Sequence, residues 1–292
     1  MRANPAEYEL IAPGTLREVV TLLSKEAGRC LPIAGGTDLM VLYAAGKLAP
    51  RKFVSIFGLP ELQRIEVTSS EIWIGAGCTY SNIRRHKVIS DELPLLARSA
   101  AWTGGIANQN RGTLGGNIAN ASPAGDSLPA LLAYEADLIL LSVRGERRIP
   151  YRNFHTGYKK SLLAPDELIR AICIRRDFKN YFTYARKVGA RNAQAISKIF
   201  LAALGRLSDR KIIDVRLAAG SVAPVPLRLT RTENVLKDQS VDNSLIDLCR
   251  SSLAEEIHPI DDIRSTTNYR TVVLGNLIAE FLMKLAGERN PS

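Results

Sequence analysis

The sequence lacks the features that several large classes of protein need. Its four cysteines lie far apart and form no CxxC pair, which argues against a zinc site or an iron–sulfur cluster held by this chain alone. We expect reduced, mostly buried thiols, as in a cytoplasmic protein. No apolar run approaches the ~18 residues of a membrane span, and MRANPAEYELIAPGT at the start holds no apolar signal-peptide core. The sequence therefore predicts a cytoplasmic protein with no membrane span.

Two common nucleotide-binding motifs are also missing. There is no GxxxxGK[ST] phosphate loop, and the nearest match to GxGxxG, GAGCTY at residues 75–80, has tyrosine in place of the third glycine. Aromatic residues make up only 6% of the chain and do not alternate with its short basic doublets. A nucleic-acid-binding module is therefore a weak alternative, and we expect no nucleic-acid partner. The net charge of +10 suits an anionic ligand or acidic partner surfaces.

The order of strand and helix patterns predicts an α+β protein. The 292 residues are 46% hydrophobic, enough for a sizeable core. Short strand and helix patterns alternate up to about residue 177, and a long hairpin then follows at residues 196–222. Apolar residues at helical spacing predict helices at residues 16–23, 242–253 and 271–285. We place a domain boundary near residue 177.

Two segments consist mainly of small residues. The first, LPIAGGTD at residues 31–38, is an apolar strand that ends in two glycines and a threonine. The second, TLGGNIANASPAGD at residues 113–126, combines three glycines with the short polar side chains of Asn117, Ser122 and Asp126. Glycine allows close approach to a ligand, and successive backbone N–H groups can form a nest for an anion. Two such loops suit a dinucleotide, whereas a plain surface loop is the alternative for the second.

Together these segments resemble the flavin-binding, or medium, subunit of molybdenum hydroxylases of the xanthine dehydrogenase and carbon monoxide dehydrogenase type. The resemblance covers nearly the whole chain. It rests on the order and spacing of residues 31–38, 74–83 (IGAGCTYSNI), 113–126 and 186–199 (RKVGARNAQAISKI). The last segment leans towards the xanthine dehydrogenase-like branch.

The resemblance implies a fold of two domains. A two-lobed FAD-binding domain of the vanillyl-alcohol-oxidase type would occupy residues 1–177, with lobes at about 1–57 and 58–177. A smaller α+β domain would occupy residues 178–292. FAD would lie between the two lobes. Because His86, His155 and His258 all lie outside the glycine segments, we expect FAD to be bound non-covalently.

The resemblance also implies which residues bind FAD. Backbone N–H groups of the first segment would wrap the pyrophosphate, and residues 113–117 would form a second phosphate loop. The matching positions in these two segments are Leu31, Pro32, Ile33, Ala34, Gly35, Gly36, Thr37, Asp38, Thr113, Gly115, Gly116 and Asn117.

Five further positions match residues near the cofactor in relatives. Ser122 and Asp126 would face the phosphate–ribitol part or the flavin edge. Thr103 would lie beside FAD, and Ile169 would make an apolar contact. Lys187 falls where relatives place a lysine near the isoalloxazine, where a cation stabilises negative charge on reduced flavin. The alternative for Lys187 is a solvated lysine on a strand.

The function implied by the resemblance is electron transfer. A substrate would be hydroxylated at a molybdenum cofactor on a large partner chain. Electrons would pass through a small partner with two [2Fe-2S] clusters to FAD on this chain, and then to NAD+, oxygen or another acceptor. We expect a dimer of such heterotrimers, and no catalytic or metal-binding residues on this chain. The alternative is a self-sufficient flavin-dependent oxidase or dehydrogenase with a pocket in its C-terminal part, which offers no evident acid–base set.

Overall fold

The structure, a computed structural model, describes residues 4–49 and 51–287. Residues 1–3, which belong to the expected first domain and to the segment MRANPAEYELIAPGT, therefore lie outside the described residues. So do residue 50 and residues 288–292 at the end of the expected second domain. A small parallel sheet comes first, in the order β1-β3-β2. Its elements are β1 (Glu9–Ile11), α1 (Leu16–Lys25), β2 (Cys30–Ile33), α2 (Leu39–Ala44) and β3 (Lys52–Ser55).

The first helix forms as its sequence predicts. The Thr15 side chain accepts a hydrogen bond from the backbone N–H of Glu18, which satisfies one free donor of the first turn. Leu16, Val19 and Leu23 recur at helical spacing and are buried against the sheet. By contrast, α2 has no buried residue, and it serves as the crossover between the parallel strands β2 and β3.

A second, antiparallel sheet has the order β4-β5-β10-β6-β7. Its strands are β4 (Ile65–Val67), β5 (Glu71–Gly75), β6 (Asp137–Ser142), β7 (Gly145–Pro150) and β10 (Leu168–Arg175); β8 (His155–Gly157) and β9 (Lys160–Ser161) form a separate pair. Short helices precede this sheet or lie between β5 and β6: α3 (Pro60–Gln63), α4 (Tyr80–Arg85), α5 (Lys87–Glu92), α6 (Pro94–Trp102), α7 (Ile106–Arg111), α8 (Leu114–Asn120) and α9 (Ser127–Ala133).

The second glycine segment is only partly a loop, and this corrects the sequence prediction. Residues 114–120 form α8, with Thr113 as its N-cap. Leu114 and Ile118 are fully buried four residues apart, so tertiary packing holds the helix in spite of its two glycines. The helix ends at Ala121, whose φ of 49° is left-handed. Residues 122–126 then lead into α9.

The C-terminal part is a four-stranded antiparallel sheet followed by helices. Its elements are β11 (Phe182–Val188), β12 (Ile199–Ser208), β13 (Lys211–Gly220), β14 (Leu227–Arg228), α10 (Thr230–Leu236), α11 (Asn243–Glu256) and α12 (Thr267–Gly287). The predicted hairpin is confirmed as β12 and β13. The predicted stripe of α12 is buried too, including Leu274 and Phe281.

Both faces of the C-terminal sheet are buried. Phe200 and Ala202 of β12 pack into the core formed by the second sheet and its helices. The alternate residues Leu201 and Ala203 pack against α11 and α12. Because successive strand residues point to opposite faces, one strand thus belongs to two cores. The helix that covers the first of these faces is α9.

None of the helices in the described residues combines the length and apolar character needed to cross a lipid bilayer.

A buried arginine of α12 fixes the ends of the long hairpin. Arg270 is 3% exposed, and its guanidinium donates to the carbonyls of Lys198 (2.8 Å) and Ser221 (3.0 Å). It also donates to the Asp262 carboxylate at 2.8 Å. Burial opposes the ionisation of Asp262, but N–H donors from Arg264 and Ser265 and the charge of Arg270 lower its pKa to about 2.

We expect Asp262 to make stability depend on acid pH. A carboxyl group with a depressed folded pKa stabilises the protein above its ordinary pKa, and this contribution is lost as pH falls towards the folded value. The free energy of unfolding of Asp262→Asn should therefore lie below that of the wild type at pH 6, and the gap should close between pH 4 and about 2. Chemical denaturation at each pH measures it. A gap that stays constant across this range would contradict the assignment.

Candidate functional site

The two glycine segments lie against each other. A Cβ on Gly35 would overlap the backbone carbonyl of Arg111, which shortly precedes the second segment. The second segment is in turn bonded to the chain after β5, because Leu114 N–H donates to Cys78 O (3.0 Å) and Gly115 N–H to Ala76 O (2.9 Å). The structure thus brings together the two segments that the sequence predicted to share one ligand.

The first segment presents free backbone donors. It follows the carboxyl end of β2 in the parallel sheet, the usual place for ligands in such units. Gly36 has a φ of 75°, which glycine adopts without strain. The N–H groups of Gly35, Gly36, Thr37 and Asp38 have no hydrogen-bond acceptor among residues 4–49 and 51–287. Four successive free donors are the arrangement expected of an anion nest.

The second segment is not the open nest that we expected. Gly116 N–H donates to Thr113 Oγ1 (3.1 Å) and Asn117 N–H to Thr113 O (3.0 Å), as befits a capped helix. Gly115 is buried, and a Cβ there would lie 2.5 Å from that of Ala76. Gly116 is exposed, and its Cβ would meet only Thr113 Oγ1. Over residues 113–118 the accessible parts of this segment are therefore Gly116 and the half-buried Asn117.

Tyr80 marks the point where the segments converge, and sequence reasoning assigned it no role. Its phenol lies beside Ser127 and Thr103 and within electrostatic reach of Asp126 and Asp38. Burial of the ring raises the pKa of Tyr80 well above its ordinary value, so the hydroxyl stays protonated. Tyr80 belongs to the IGAGCTYSNI segment, whose position after a strand was the only available signal.

Asp126 and Lys187 form a buried ion pair close to Tyr80. Lys187 Nζ is 2.6 Å from Asp126 Oδ2, and it also donates to the carbonyl of Trp102 at 2.9 Å. Ser197 Oγ donates to the other oxygen of Asp126 at 2.5 Å. Burial raises the pKa of Asp126, and the charge and hydrogen bonds of Lys187 and Ser197 offset part of that rise. Lys187 is thus not a solvated strand lysine. Ser197 was in a quoted segment but had no predicted role.

The other predicted positions, Thr103, Ser122 and Ile169, differ in their contacts and burial. Thr103 ends α6, and its hydroxyl donates to Ser99 O at 2.8 Å. Ser122 is half-buried, and its hydroxyl accepts a long bond from Ala124 N–H (3.4 Å). Ile169 is 3% exposed and packs in the core of the second sheet, so its contact with any ligand would be small.

The GAGCTY motif has a packing role. Gly75 N–H donates to the carbonyl of Arg64, and a Cβ on Gly75 would overlap the carbonyl of Leu62. A Cβ on Gly77 would lie 3.0 Å from Leu62. The strand before the motif, β5, pairs antiparallel with both neighbours, unlike the parallel strands of a dinucleotide-binding βαβ unit. These glycines therefore allow close contact between the chain and α3.

We predict that Gly35→Ala weakens the fold by separating the two segments. The added Cβ overlaps a backbone carbonyl, which cannot move as a side chain would. Overpacking of this kind costs ~1–3 kcal/mol of unfolding free energy. Chemical denaturation of the cofactor-free chain measures it. Gly14→Ala is the matched control, because its Cβ would meet nothing within 4 Å; an equal effect at both positions would contradict the close contact.

Comparison with known families identifies both parts of the chain. Residues 6–175 match the family described as FAD binding domain in molybdopterin dehydrogenase. Residues 184–285 match the CO dehydrogenase flavoprotein C-terminal domain.

Individual relatives agree with this. The chain is 30% identical over 258 residues to a xanthine dehydrogenase FAD-binding subunit of Escherichia coli, covering 88% of each chain. It is 26% identical to the carbon monoxide dehydrogenase medium chain of Hydrogenophaga pseudoflava, covering 95% of this chain and 96% of that one. A solved carbon monoxide dehydrogenase chain from that organism superposes with a TM-score of 0.90 at 25% identity, over 94% of this chain and 95% of the other. The α+β fold with two lobes and a C-terminal sheet is therefore the expected one, and the chain belongs to the FAD-binding subunits of the molybdenum hydroxylase family, the oxidoreductases of the xanthine and carbon monoxide dehydrogenase type.

Proposed function

We propose that this chain transfers electrons inside a multi-subunit molybdenum hydroxylase. It would take them from the [2Fe-2S] clusters of a partner and pass them to NAD+, oxygen or another acceptor. The observation that carries the proposal is the row of free N–H donors at residues 35–38, together with buried Lys187, because Tyr80 lies within electrostatic reach of both Asp38 and the lysine's partner Asp126. Neutral donors suit a pyrophosphate, and a cation suits a flavin ring that becomes negative on reduction.

The described residues fit FAD. The first segment, residues 31–38, would hold the pyrophosphate, and Gly116 would allow its close approach to α8. Thr113, Gly115 and the rest of α8 would act mainly by holding that surface in place. Bound FAD would supply the redox chemistry, accepting and donating one or two electrons. Asn117, Thr103 and Ser122 would make polar contacts with the cofactor.

Non-covalent binding has support from the histidines. His155 Nε2 lies 2.9 Å from the carbonyl of Ile118, so this ring is engaged in holding the end of α8. Burial lowers the pKa of His155, so the ring is neutral near pH 7. His86 is the N-cap residue of α5. We therefore propose that FAD is held without a covalent bond.

The partner subunits are proposed from the relatives. Their names describe subunits or medium chains of dehydrogenases, as in the 6-hydroxypseudooxynicotine dehydrogenase complex of Paenarthrobacter nicotinovorans. We propose a small iron–sulfur partner, a large molybdenum-cofactor partner and a dimer of heterotrimers. The four buried, unpaired cysteines support a cytoplasmic location. The two family matches, which end at 175 and start at 184, support a domain boundary near residue 177.

The alternative, a self-sufficient flavin oxidase, needs a substrate pocket in the C-terminal part. The C-terminal sheet offers little room for one, because both of its faces are packed, one on α9 and the other on α11 and α12. The electron-transfer role is therefore the better proposal.

We predict that Gly116→Val lowers FAD content while the fold is retained. The added Cβ would lie 2.8 Å from the capping hydroxyl of Thr113, which must shift, but valine favours a helix more than glycine does and offsets part of that cost. The new side chain would occupy the space proposed for the pyrophosphate. Absorbance of the purified chain and chromatography of heat-released flavin measure the content.

The control for that variant is Gly14→Val, which lies in open space away from the segments and should bind FAD like the wild type. Full FAD content in Gly116→Val would contradict the proposed pyrophosphate position. A wild-type chain that takes up no added FAD, alone or with its partners, would contradict the proposed function.

We also predict that the chain works only in a complex. Affinity purification of the tagged chain from its native cells should recover partner chains with iron and molybdenum, detected by metal analysis. The isolated chain, loaded with FAD, should oxidise no small alcohol or aldehyde in the presence of an electron-accepting dye. Substrate turnover by the isolated chain would favour the self-sufficient oxidase.

A further inference from the structure

The ion pair of Asp126 and Lys187 joins two separate parts of the chain. Asp126 precedes α9, whereas Lys187 belongs to β11 of the C-terminal sheet. The side chains are 7% and 12% exposed. Removing both charges from water is costly, so geometry and further hydrogen bonds must hold such a pair together. Ser197 and the Trp102 carbonyl supply them.

Both oxygens of the Asp126 carboxylate accept hydrogen bonds within the protein. Its Oδ1 accepts from Ser197 at 2.5 Å and its Oδ2 from Lys187 at 2.6 Å. The resemblance to relatives placed Asp126 at the cofactor itself. With both oxygens bonded to protein donors, Asp126 is better suited to orient another group than to bind a ligand directly.

The ammonium of Lys187, in contrast, keeps one donor free. An ammonium has three N–H donors. Two of them reach Asp126 and the Trp102 carbonyl, and the third has no acceptor among the described residues. Trp102 precedes Thr103, and the residue after Asp126, Ser127, donates to Asn117 of α8 at 2.7 Å. The ammonium is therefore fixed next to the proposed cofactor surface.

We propose that Asp126 is a positioning residue for Lys187. It holds the ammonium beside the flavin ring and offsets part of its positive charge there. This inference rests on the proposed function, because it concerns bound FAD. It differs from the role implied by the resemblance, in which Asp126 itself faces the cofactor.

The two members of the pair then act on FAD with opposite signs. Reduction adds negative charge to the flavin, so a nearby cation favours the reduced form and a nearby carboxylate opposes it. Loss of the Asp126 charge leaves an uncompensated ammonium. Loss of the Lys187 charge removes the cation, and the carboxyl group of Asp126 that is left opposes reduction further wherever it stays ionised. Loss of both removes both fields and returns the potential towards that of the wild type.

The test is the midpoint potential of FAD bound to the full chain, measured by equilibration with redox dyes. Asp126→Asn should favour reduced over oxidised FAD about tenfold, which for a two-electron couple raises the potential by ~30 mV. Lys187→Met should shift it by a similar amount in the opposite direction. The double variant should fall between them, and Asp126→Glu, which keeps the charge, should lie closer to the wild type than Asp126→Asn.

Surface variants provide the matched control. Lys87 and Asp91 form an exposed pair, with side chains 88% and 55% exposed. Asp91→Asn and Lys87→Met make the same chemical changes in solvent, where they should leave the potential unchanged.

Several outcomes separate this inference from the proposed function. Shifts of the same sign in both single variants, or no shift in either, would overturn the positioning role while leaving FAD binding intact. If Asp126→Asn does not fold, the double variant, which removes both buried charges, takes its place. A potential of the double variant below that of Lys187→Met would also overturn the inference. A wild-type chain that binds no FAD would overturn the proposed function, and this inference with it.

Discussion

The arrangement of the whole chain depends on how α9 is held against the C-terminal sheet. At its start, Asp126 bonds to Lys187 of that sheet and to Ser197 in the connection between β11 and β12. Just beyond its end, Glu135 forms an ion pair with Arg216 of β13, with 2.5 Å between the charged atoms. Between these ends the helix packs on β12 and β13. Because α9 is fixed to the C-terminal sheet at both of its ends, Lys187 of that sheet has a defined place near the second glycine segment.

Ion pairs of the same kind hold other arginines of the chain. Arg147 pairs with Glu167 at 2.6 Å and Arg176 with Glu92 at 2.7 Å, so that half-exposed arginines cover largely buried carboxylates. Arg216 bonds to Glu135 and, at 3.2 Å, to Asp214. These arginines therefore fix parts of the chain to one another, although each pair uses one charge of either sign and leaves the net charge of +10 unchanged. Composition alone could not identify these partners.

Sequence patterns predicted the parts of the fold in which local signals and packing agree. The stripe of α1 and the hairpin of β12 and β13 follow directly from apolar periodicity, and both are confirmed. The helix α8 was missed because Gly115 and Gly116 are poor helix formers, and only the burial of its apolar residues stabilises it. Of the site, the sequence indicated Asp126 and Lys187 but not their ion pair, because they lie 61 residues apart and meet only in the fold.

Glycine density was the strongest sequence signal, and the structure divides it into physically different uses. Gly35 and Gly115 are small because other parts of the chain pass too close for a side chain. Gly36 supplies a left-handed backbone turn, and Gly116 is exposed at the segment that should meet the ligand, where an added Cβ would meet only the Thr113 hydroxyl. The close contacts bring the two segments together, and the turn at Gly36 accompanies the free N–H groups. A motif that binds a dinucleotide can therefore contain glycines that never touch the ligand, because the segments that form the binding site must also pack closely against each other.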